Sequence, residues 1–363
     1  MLNHYFFRVL IIPSAVFLSV LFGASYGSGR EVVEFVSSNG PTGGLVAIAT
    51  LVTTHTVLLM LSFELARLYK SYDYVSFFRV LLRRGWFLYE IVILVGLVIA
   101  LSITTTVGGT VLEDHFGINA RIGSLAILAL IVALNYFGRK IVEESMMLSV
   151  TALFLVLVVL VVQLASGYAD QVTAAFSDFE YQEGSVYKGL MYAIGGGGYI
   201  PLLLYCATGL KSRSEAVTAG LVAAFVAGVP ALIFHFAFMA GYPAVIEQRI
   251  PTYWMFGQIS TPLMLNIYVM VMFVLVAQTG VGVLQGLIER VDVWYKQRKG
   301  EPLNSVGHAA IAGSAAVFSM ALGSMGIVAL ILRGYTIMFM SFIFVFVIPL
   351  LTYGAFLVFR RRP

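Results

Sequence analysis

Charge is what this chain of 363 residues has least of. Asp, Glu, Lys and Arg make up 11% of it, against about 25% in a soluble globular domain. With 60% hydrophobic residues, that shortage excludes a soluble fold and implies a chain surrounded by lipid. Cysteine is almost missing: the lone Cys206 excludes an intramolecular disulfide. The five histidines show no metal-ligand spacing, and no phosphate loop or nucleophile elbow is present, so no enzyme is legible. The formal net charge of +4 gives no reason to expect nucleic acid, because the basic residues lie in short loops between apolar runs. The first 35 residues lack a strongly basic start and an Ala-x-Ala-like cleavage site. They are read as a retained first helix, not a signal peptide.

What is present is a series of long apolar runs. A bilayer core takes roughly 20 apolar residues per helix. By that measure about ten spans are predicted, at 5–36, 43–68, 85–111, 121–138, 142–167, 186–210, 215–241, 259–291, 306–332 and 335–359. Pro13, Pro201, Pro230 and Pro349 fall inside spans, where proline kinks a helix. Of the 22 Lys and Arg, all but Arg30, Arg121, Lys188, Arg249 and Arg333 fall on one side when the chain starts inside. That bias places both termini in the cytoplasm of a multi-pass cell-membrane protein. The loop 168–185, with Asp170, Asp178, Glu180 and Glu183, then lies outside.

Ten spans divide into residues 1–167 and 186–363, joined by that outer loop. Five spans per half make the second half enter from the opposite side, so the halves would be inverted repeats. No residue-by-residue identity links them. The shared feature is a break: Gly23-Ala24-Ser25-Tyr26-Gly27-Ser28-Gly29 in span one, and Gly195-Gly196-Gly197-Gly198 in span six. A glycine run releases backbone N–H and C=O groups that lipid cannot satisfy, so such a run belongs where it lines a cavity. Paired breaks point to a solute site. The alternative is that glycine only lets membrane helices pack closely.

The stretch Phe22 to Phe35 resembles the first helix of the amino acid–polyamine–organocation superfamily, whose members share the leucine-transporter (LeuT) fold and often carry a G-[SA]-G turn, here Gly27-Ser28-Gly29. More closely, Ser28-Gly29-Arg30-Glu31 resembles the A-S-G-[QR]-E pattern of the YkvI-like bacterial membrane proteins, with Tyr26-Gly27 as a departure. Asn39-Gly40-Pro41-Thr42-Gly43-Gly44 and Gly209-Leu210-Lys211-Ser212-Arg213-Ser214-Glu215-Ala216 are similar to the segments that follow the first and sixth helices there. The resemblance implies an all-α membrane protein, a 5+5 inverted repeat with discontinuous helices one and six. Spans one, two, six and seven would rock against three, four, eight and nine. It also implies a cation site: Gly23 and Tyr26 fall at the carbonyl positions and Thr279 at the hydroxyl position, although relatives often show two adjacent hydroxyls where this chain has Gln278-Thr279. Sodium at that site is the one cofactor implied. The other reading of Thr279 is a bond to a carbonyl one turn back. The Asp-Pro-Gly-Asn turn of metal transporters is absent from span one, which argues against a divalent metal cargo.

The candidate solute-binding residues are Ala24, Ser25, Gly27, Ser28 and Gly29 of span one, Thr104 and Thr105 of span three, and Tyr192, Gly195, Gly196, Gly197, Gly198 and Tyr199 of span six. Arg30, Glu31 and Glu34 follow the first break. Charges within a span are costly and usually functional. Arg30 matches a gate arginine of some relatives. Glu31 and Glu34 share a helix face and could bind a solute amine, carry a coupling proton, or pair with Arg30 and Arg333; the plain alternative is an outer salt bridge or snorkelling. His55 and His235 are read as hydrogen-bonded packing residues, with a proton relay as the alternative, Asn135, Gln163 and Gln285 as interhelical hydrogen-bonding glue, and Glu64, Arg67, Glu90, Arg83 and Arg84 as a cytoplasmic ion-pair network. The function expected is cation-coupled (Na+ or H+) secondary transport of a small amino acid or related amine; the alternatives are an uncoupled facilitator or channel, and a transporter-derived solute sensor. Oligomeric state and cargo identity are not legible.

Overall fold

The computed structural model describes residues 5–21, 23–177, 183–301 and 303–360, without the side chains of 137–150, 153, 297 and 305. Asp178, Glu180, Arg361 and Arg362 lie outside the described residues. No strand occurs among those described; the chain is helical almost throughout.

Among the described residues, six stretches are long and apolar enough to cross a membrane alone: Arg30–Tyr69, Arg83–Phe116, Arg213–Met239, Pro262–Lys296, Val306–Gly323 and Ile327–Arg360. Two more are bent pairs, Phe154–Gly167 with Ala169–Ala175 and Ser185–Gly197 with Ile200–Gly209. Phe6–Leu21 and Ala120–Tyr136 are shorter apolar helices. Together these account for the ten expected spans, with one change at the start. The part of span one beyond Gly29 runs through Ser37–Asn39 into span two, so the first apolar unit is shorter than expected and the second longer.

Local chemistry sets the ends. Side-chain oxygens of Ser212, Asn304 and Asp73 accept the backbone N–H groups of Glu215, Gly307 and Ser76, which caps span seven, span nine and a short helix, Tyr74–Leu81. Partial burial would raise the Asp73 carboxyl; the hydroxyl and amide of Ser76 outweigh it and hold it below its ordinary value. Gly117 closes span three at φ 71°, a left-handed conformation that suits glycine. The prolines act unequally. Span seven runs through Pro230, whereas Pro349 lies between two wide π turns, Ile343–Val347 and Leu350–Gly354.

Buried apolar residues from all ten spans form one continuous core, which includes Phe339, Phe342 and Phe346 of span ten. "Basic end" here means the end bearing the links between spans two and three, six and seven, and eight and nine. A short helix lies in the link at each end: Tyr74–Leu81 before span three at the basic end, and Pro251–Ile259 before span eight at the opposite end.

Candidate functional site

The first break has three steps. Gly23 is extended, Ala24–Gly27 makes one helical turn, and Gly29 at φ 76° turns the chain into Arg30–Phe35. No larger residue fits at Gly29: a Cβ there would overlap Thr252 Oγ1 and stand 2.5 Å from the Phe238 ring. Ser28 holds the turn, its hydroxyl donating to the Ser25 carbonyl (2.6 Å) and accepting the Arg30 N–H (3.2 Å). Thr279 of span eight does reach this break, where its Oγ1 accepts the Ala24 N–H at 3.2 Å. The carbonyls of Gly23 and Tyr26 each accept a backbone N–H, from Gly27 and Gly29, both at 2.9 Å.

The second break differs from expectation. The glycine quartet is not unwound: helix continues through Gly197, and the 63° bend follows at Gly198-Tyr199. The four glycines instead admit neighbours on two sides. A Cβ on Gly195 or Gly198 would fall inside the rings of Phe339 and Phe342 of span ten. One on Gly196 would stand 2.7 Å from Leu21 and 3.1 Å from His55 Nε2, and one on Gly197 2.7 Å from Leu58. The close-packing role weighed for glycine is therefore met here. Through Gly196 the two broken helices touch: Leu21 ends the helix that precedes the first break.

Each break leaves one carbonyl that a tyrosine takes. Gly198 C=O finds no helical donor, because Pro201 has no N–H and Leu202 N–H bonds the Tyr199 carbonyl. Tyr89 of span three donates its hydroxyl there at 2.9 Å. Gly27 C=O receives the Tyr268 hydroxyl of span eight at 3.3 Å, while the Arg30 N–H three residues on is spent on Ser28. Each tyrosine stacks on a phenylalanine of the preceding link helix: Phe78 on Tyr89 (centroids 4.1 Å, 27°) and Phe256 on Tyr268 (4.9 Å, 18°). Exchanging the halves maps one arrangement onto the other.

The three charged residues after the first break divide. Arg30 turns outward to the link after span seven, donating to the carbonyls of Ile246 and Gln248 (both 2.9 Å) and pairing with Glu34 (3.0 Å). Glu31 turns inward. It is 9% exposed and accepts the hydroxyls of Tyr335 of span ten (2.8 Å) and Tyr192 of span six (3.2 Å). Ser25 Oγ is buried beside it, without a hydrogen bond of ordinary geometry. Phe35 stacks on Tyr192 (5.2 Å) and Phe339 on Tyr335 (5.3 Å), closing the rings over the carboxylate.

The other candidates fall outside this core. Thr105 faces span nine, at 3.3 Å from Ser319 Oγ, and donates within its own helix, so in this structure it joins helices rather than lining the break. Thr104 is buried in span three. Tyr199 OH meets Met338 Sδ at 3.5 Å. His235 is fully engaged, bonding Pro41 C=O through Nε2 (2.8 Å) and Ser37 Oγ through Nδ1 (3.0 Å). His55 Nε2 bonds the Ala193 carbonyl at 2.9 Å. Asn135 bridges to the Val281 carbonyl and Gln163 accepts from Ser260, but Gln285 bonds Glu289 of its own helix. The ionic network is also rearranged. Glu64 pairs with Arg67 (2.7 Å), but Glu90 pairs with Arg290 of span eight (2.8 Å), not with Arg83 or Arg84. Arg333 is exposed and away from Glu31. Sequence reading passed over Tyr89, Tyr268 and Tyr335. The signal for the first two was present as a spacing, a link phenylalanine 11 or 12 residues before a tyrosine near the start of spans three and eight.

No family model and no curated protein matches the chain. Solved structures do. A manganese transporter mutant from Eremococcus coleocola aligns over 97% of this chain and 80% of its own, at 12% identity and a TM-score of 0.50. The same organism's manganese transporter in complex with an aromatic bis-isothiourea substituted compound aligns over 96% and 78%, at 13% identity and 0.49. The inward-facing conformation of Mhp1 aligns over 93% and 71%, at 12% identity and 0.45. At such identities a likeness carries the fold alone. With its helical breaks in spans one and six and the exchangeable tyrosine pair, this chain is an all-α multi-pass membrane protein with the LeuT-type inverted-repeat fold.

Proposed function

We propose that the chain is a secondary transporter that moves a small organic solute bearing an amine, an amino acid or a related amine, by alternating access, coupled to Na+ or H+. The observation that supports this reading is the meeting of the two broken helices, Leu21 against Gly196, inside a frame where spans three and eight hold one carbonyl of each break. A static structural helix would not interrupt its ladder twice at depth in lipid. Half-helix ends at mid-membrane suit a solute with charged groups. On this reading Ala24, Ser25, Gly27, Ser28, Gly29, Tyr192 and Tyr199 supply the wall, and Gly23, Tyr26 and Thr279 stand as the sodium alternative. On the same reading the basic loops face the cytoplasm of the cell membrane, and the short motifs support a kinship with the YkvI-like group. The Eremococcus coleocola neighbours are manganese transporters. In this chain, among the described residues, no three His, Cys, Asp or Glu side chains converge, and the groups at the breaks are hydroxyls, phenols, backbone and one carboxylate.

The test is uptake into proteoliposomes of purified protein, with labelled amino acids and amines, and with manganese as the competing cargo, under sodium and proton gradients. Gradient-dependent, saturable uptake of an amine is expected. Manganese uptake alone would overturn the cargo class. Gradient-independent flux at channel rates would point to a facilitator, and binding without flux to a sensor; either outcome would overturn the transport reading.

A further inference from the structure

We propose that Glu31 is the proton-binding site of this protein, and that its proton closes the path from the opposite end by letting spans one, six and ten pack around a neutral side chain. As a coupling step this rests on the transporter reading; as a binding site it does not.

The argument begins with what faces Glu31. From its own helix come Arg30, already shared among Glu34 and the carbonyls of Ile246 and Gln248, and Glu34 itself. Span six offers the Tyr192 hydroxyl; its only basic residue nearby in sequence, Lys188, donates to Ser38 Oγ at 2.8 Å. From span ten comes the Tyr335 hydroxyl, while Arg333 is exposed. Tyr26 and Tyr199 are the remaining phenols in its field. Among the described residues no Lys, Arg or His pairs with Glu31. An ionised carboxylate buried without a counter-cation is costly, and neutral hydroxyls offset only part of that cost. A cation must therefore complete the site in the closed arrangement.

Packing selects which cation. Phe35 is stacked on Tyr192 and Phe339 on Tyr335, with Phe35 and Phe339 5.6 Å apart. Tyr192, Phe35 and Phe339 are all buried. With Glu31 only 9% exposed and these rings packed on its phenol partners, the carboxylate is enclosed, and the oxygens around it are phenols and one serine hydroxyl. A proton needs no room. Bound to one carboxylate oxygen, it turns that oxygen into a donor, for which the Ser25 hydroxyl, buried without an ordinary hydrogen bond, is the acceptor at hand. The other oxygen keeps its hydroxyl donor. When the proton leaves, the carboxylate regains its charge and its demand for water, and water reaches it only if Tyr192 or Tyr335 withdraws. Proton loss and opening are thus one event.

The test needs no cargo. Infrared difference titration of the purified full chain follows the carbonyl stretch of a protonated carboxylic acid in wild type and in E31Q. In parallel, spin labels at Tyr187, exposed at the start of span six, and at Met325, exposed in the link between spans nine and ten, report the distance across the opposite end. In the wild type, one carboxylic-acid band is expected to vanish as pH rises while the distance lengthens. In E31Q that band is absent and the distance stays short at every pH. With Y335F the band persists but titrates at a shifted pH. In proteoliposomes given labelled amino acids, wild-type accumulation is expected to rise about tenfold per unit of pH gradient for one proton per solute, and E31Q, shut at that end, takes up none. The proposal is overturned if wild type and E31Q titrate alike, or if E31Q opens with pH as the wild type does. Absence of uptake with the titration intact would count against the transporter reading alone.

Discussion

Removing the Tyr89 hydroxyl isolates a single hydrogen bond at the second break. Tyr89→Phe keeps the ring, and with it the 4.1 Å stack on Phe78. It deletes the donor to Gly198 C=O, and no helical N–H can replace it, since Pro201 has none and Leu202 is committed to Tyr199. A buried carbonyl left without a partner costs about 1–3 kcal/mol. The bond at Tyr268 is longer, 3.3 Å, so Tyr268→Phe belongs at the low end, about 0.5–1.5 kcal/mol. Because the two tyrosines act on different breaks, the double variant should equal the sum of the singles to within about 0.5 kcal/mol. If the hydroxyl bonds exist in only one of two exchanging conformations, Tyr89→Phe shifts that equilibrium by about 5–150-fold. The assays are thermal melting in detergent and spin-label distances between Phe87 and Tyr205, exposed positions on spans three and six. The expected result is a lengthened Phe87–Tyr205 distance in Tyr89→Phe and none in Tyr268→Phe. If both variants open that pair equally, or if Tyr89→Phe melts with the wild type, the tyrosines are not separate latches on the two breaks.

Substituting Gly195 or Gly198 by alanine drives a Cβ into Phe339 or Phe342 and should lower stability by about 1–3 kcal/mol through overpacking; alanine at Gly282 or Gly313, where nothing lies within 4 Å, should raise it by about 0.5–1 kcal/mol, and melting temperatures separate the two. Arg30→Ala strands Glu34 and two loop carbonyls, for which about 3–5 kcal/mol is expected, together with faster proteolysis between Pro243 and Ile250. His235→Ala should cost about 1–3 kcal/mol for the buried partners it leaves at Ser37 and Pro41 but leave the pH dependence of opening unchanged; a changed pH profile would make that ring a proton relay. Asp73→Ala removes the cap of Tyr74–Leu81 at about 0.5–2 kcal/mol. The Asp73 carboxyl titrates below its unfolded value. Its contribution is therefore complete above that value and fades as pH falls through the folded one, which proteolysis of the link before span three would follow in acid.

The spans and their breaks were legible because a bilayer imposes its thickness and its intolerance of free backbone groups on the sequence directly. Gly29 was legible for the same local reason, a left-handed turn that only glycine makes cheaply. The state of the glycine quartet was not. Four glycines specify freedom, and whether that freedom is used for unwinding or for contact depends on what span ten presents, here Phe339 and Phe342. Charges near the breaks could be flagged singly, but Arg30 and Glu31 are adjacent in sequence and point in different directions, a partition set by one turn of helix and by residues more than 150 positions away. Pairing of Glu90 with Arg290 rather than with Arg83 or Arg84 is the same lesson: sequence proximity suggested partners that the fold replaced with one 200 residues distant.

The inverted repeat is clearest where its side chains agree, and most informative where they do not. Registering the halves on the carbonyls held by tyrosine places Gly27 against Gly198, and four residues on it places Glu31 against Leu202. Two halves with the same latch would make the two ends of the path alike, each break held by one hydroxyl and one stacked ring. Nothing in that arrangement prefers one end to the other. Glu31 breaks the equivalence of these two positions, because span one carries a buried carboxylate where span six carries leucine. With Glu31 as the proposed proton site, closing that end depends on the proton, while at the basic end leucine stands in the matching place. A proton gradient acting on one latch of a symmetric pair is sufficient to give exchange between the two closures a direction.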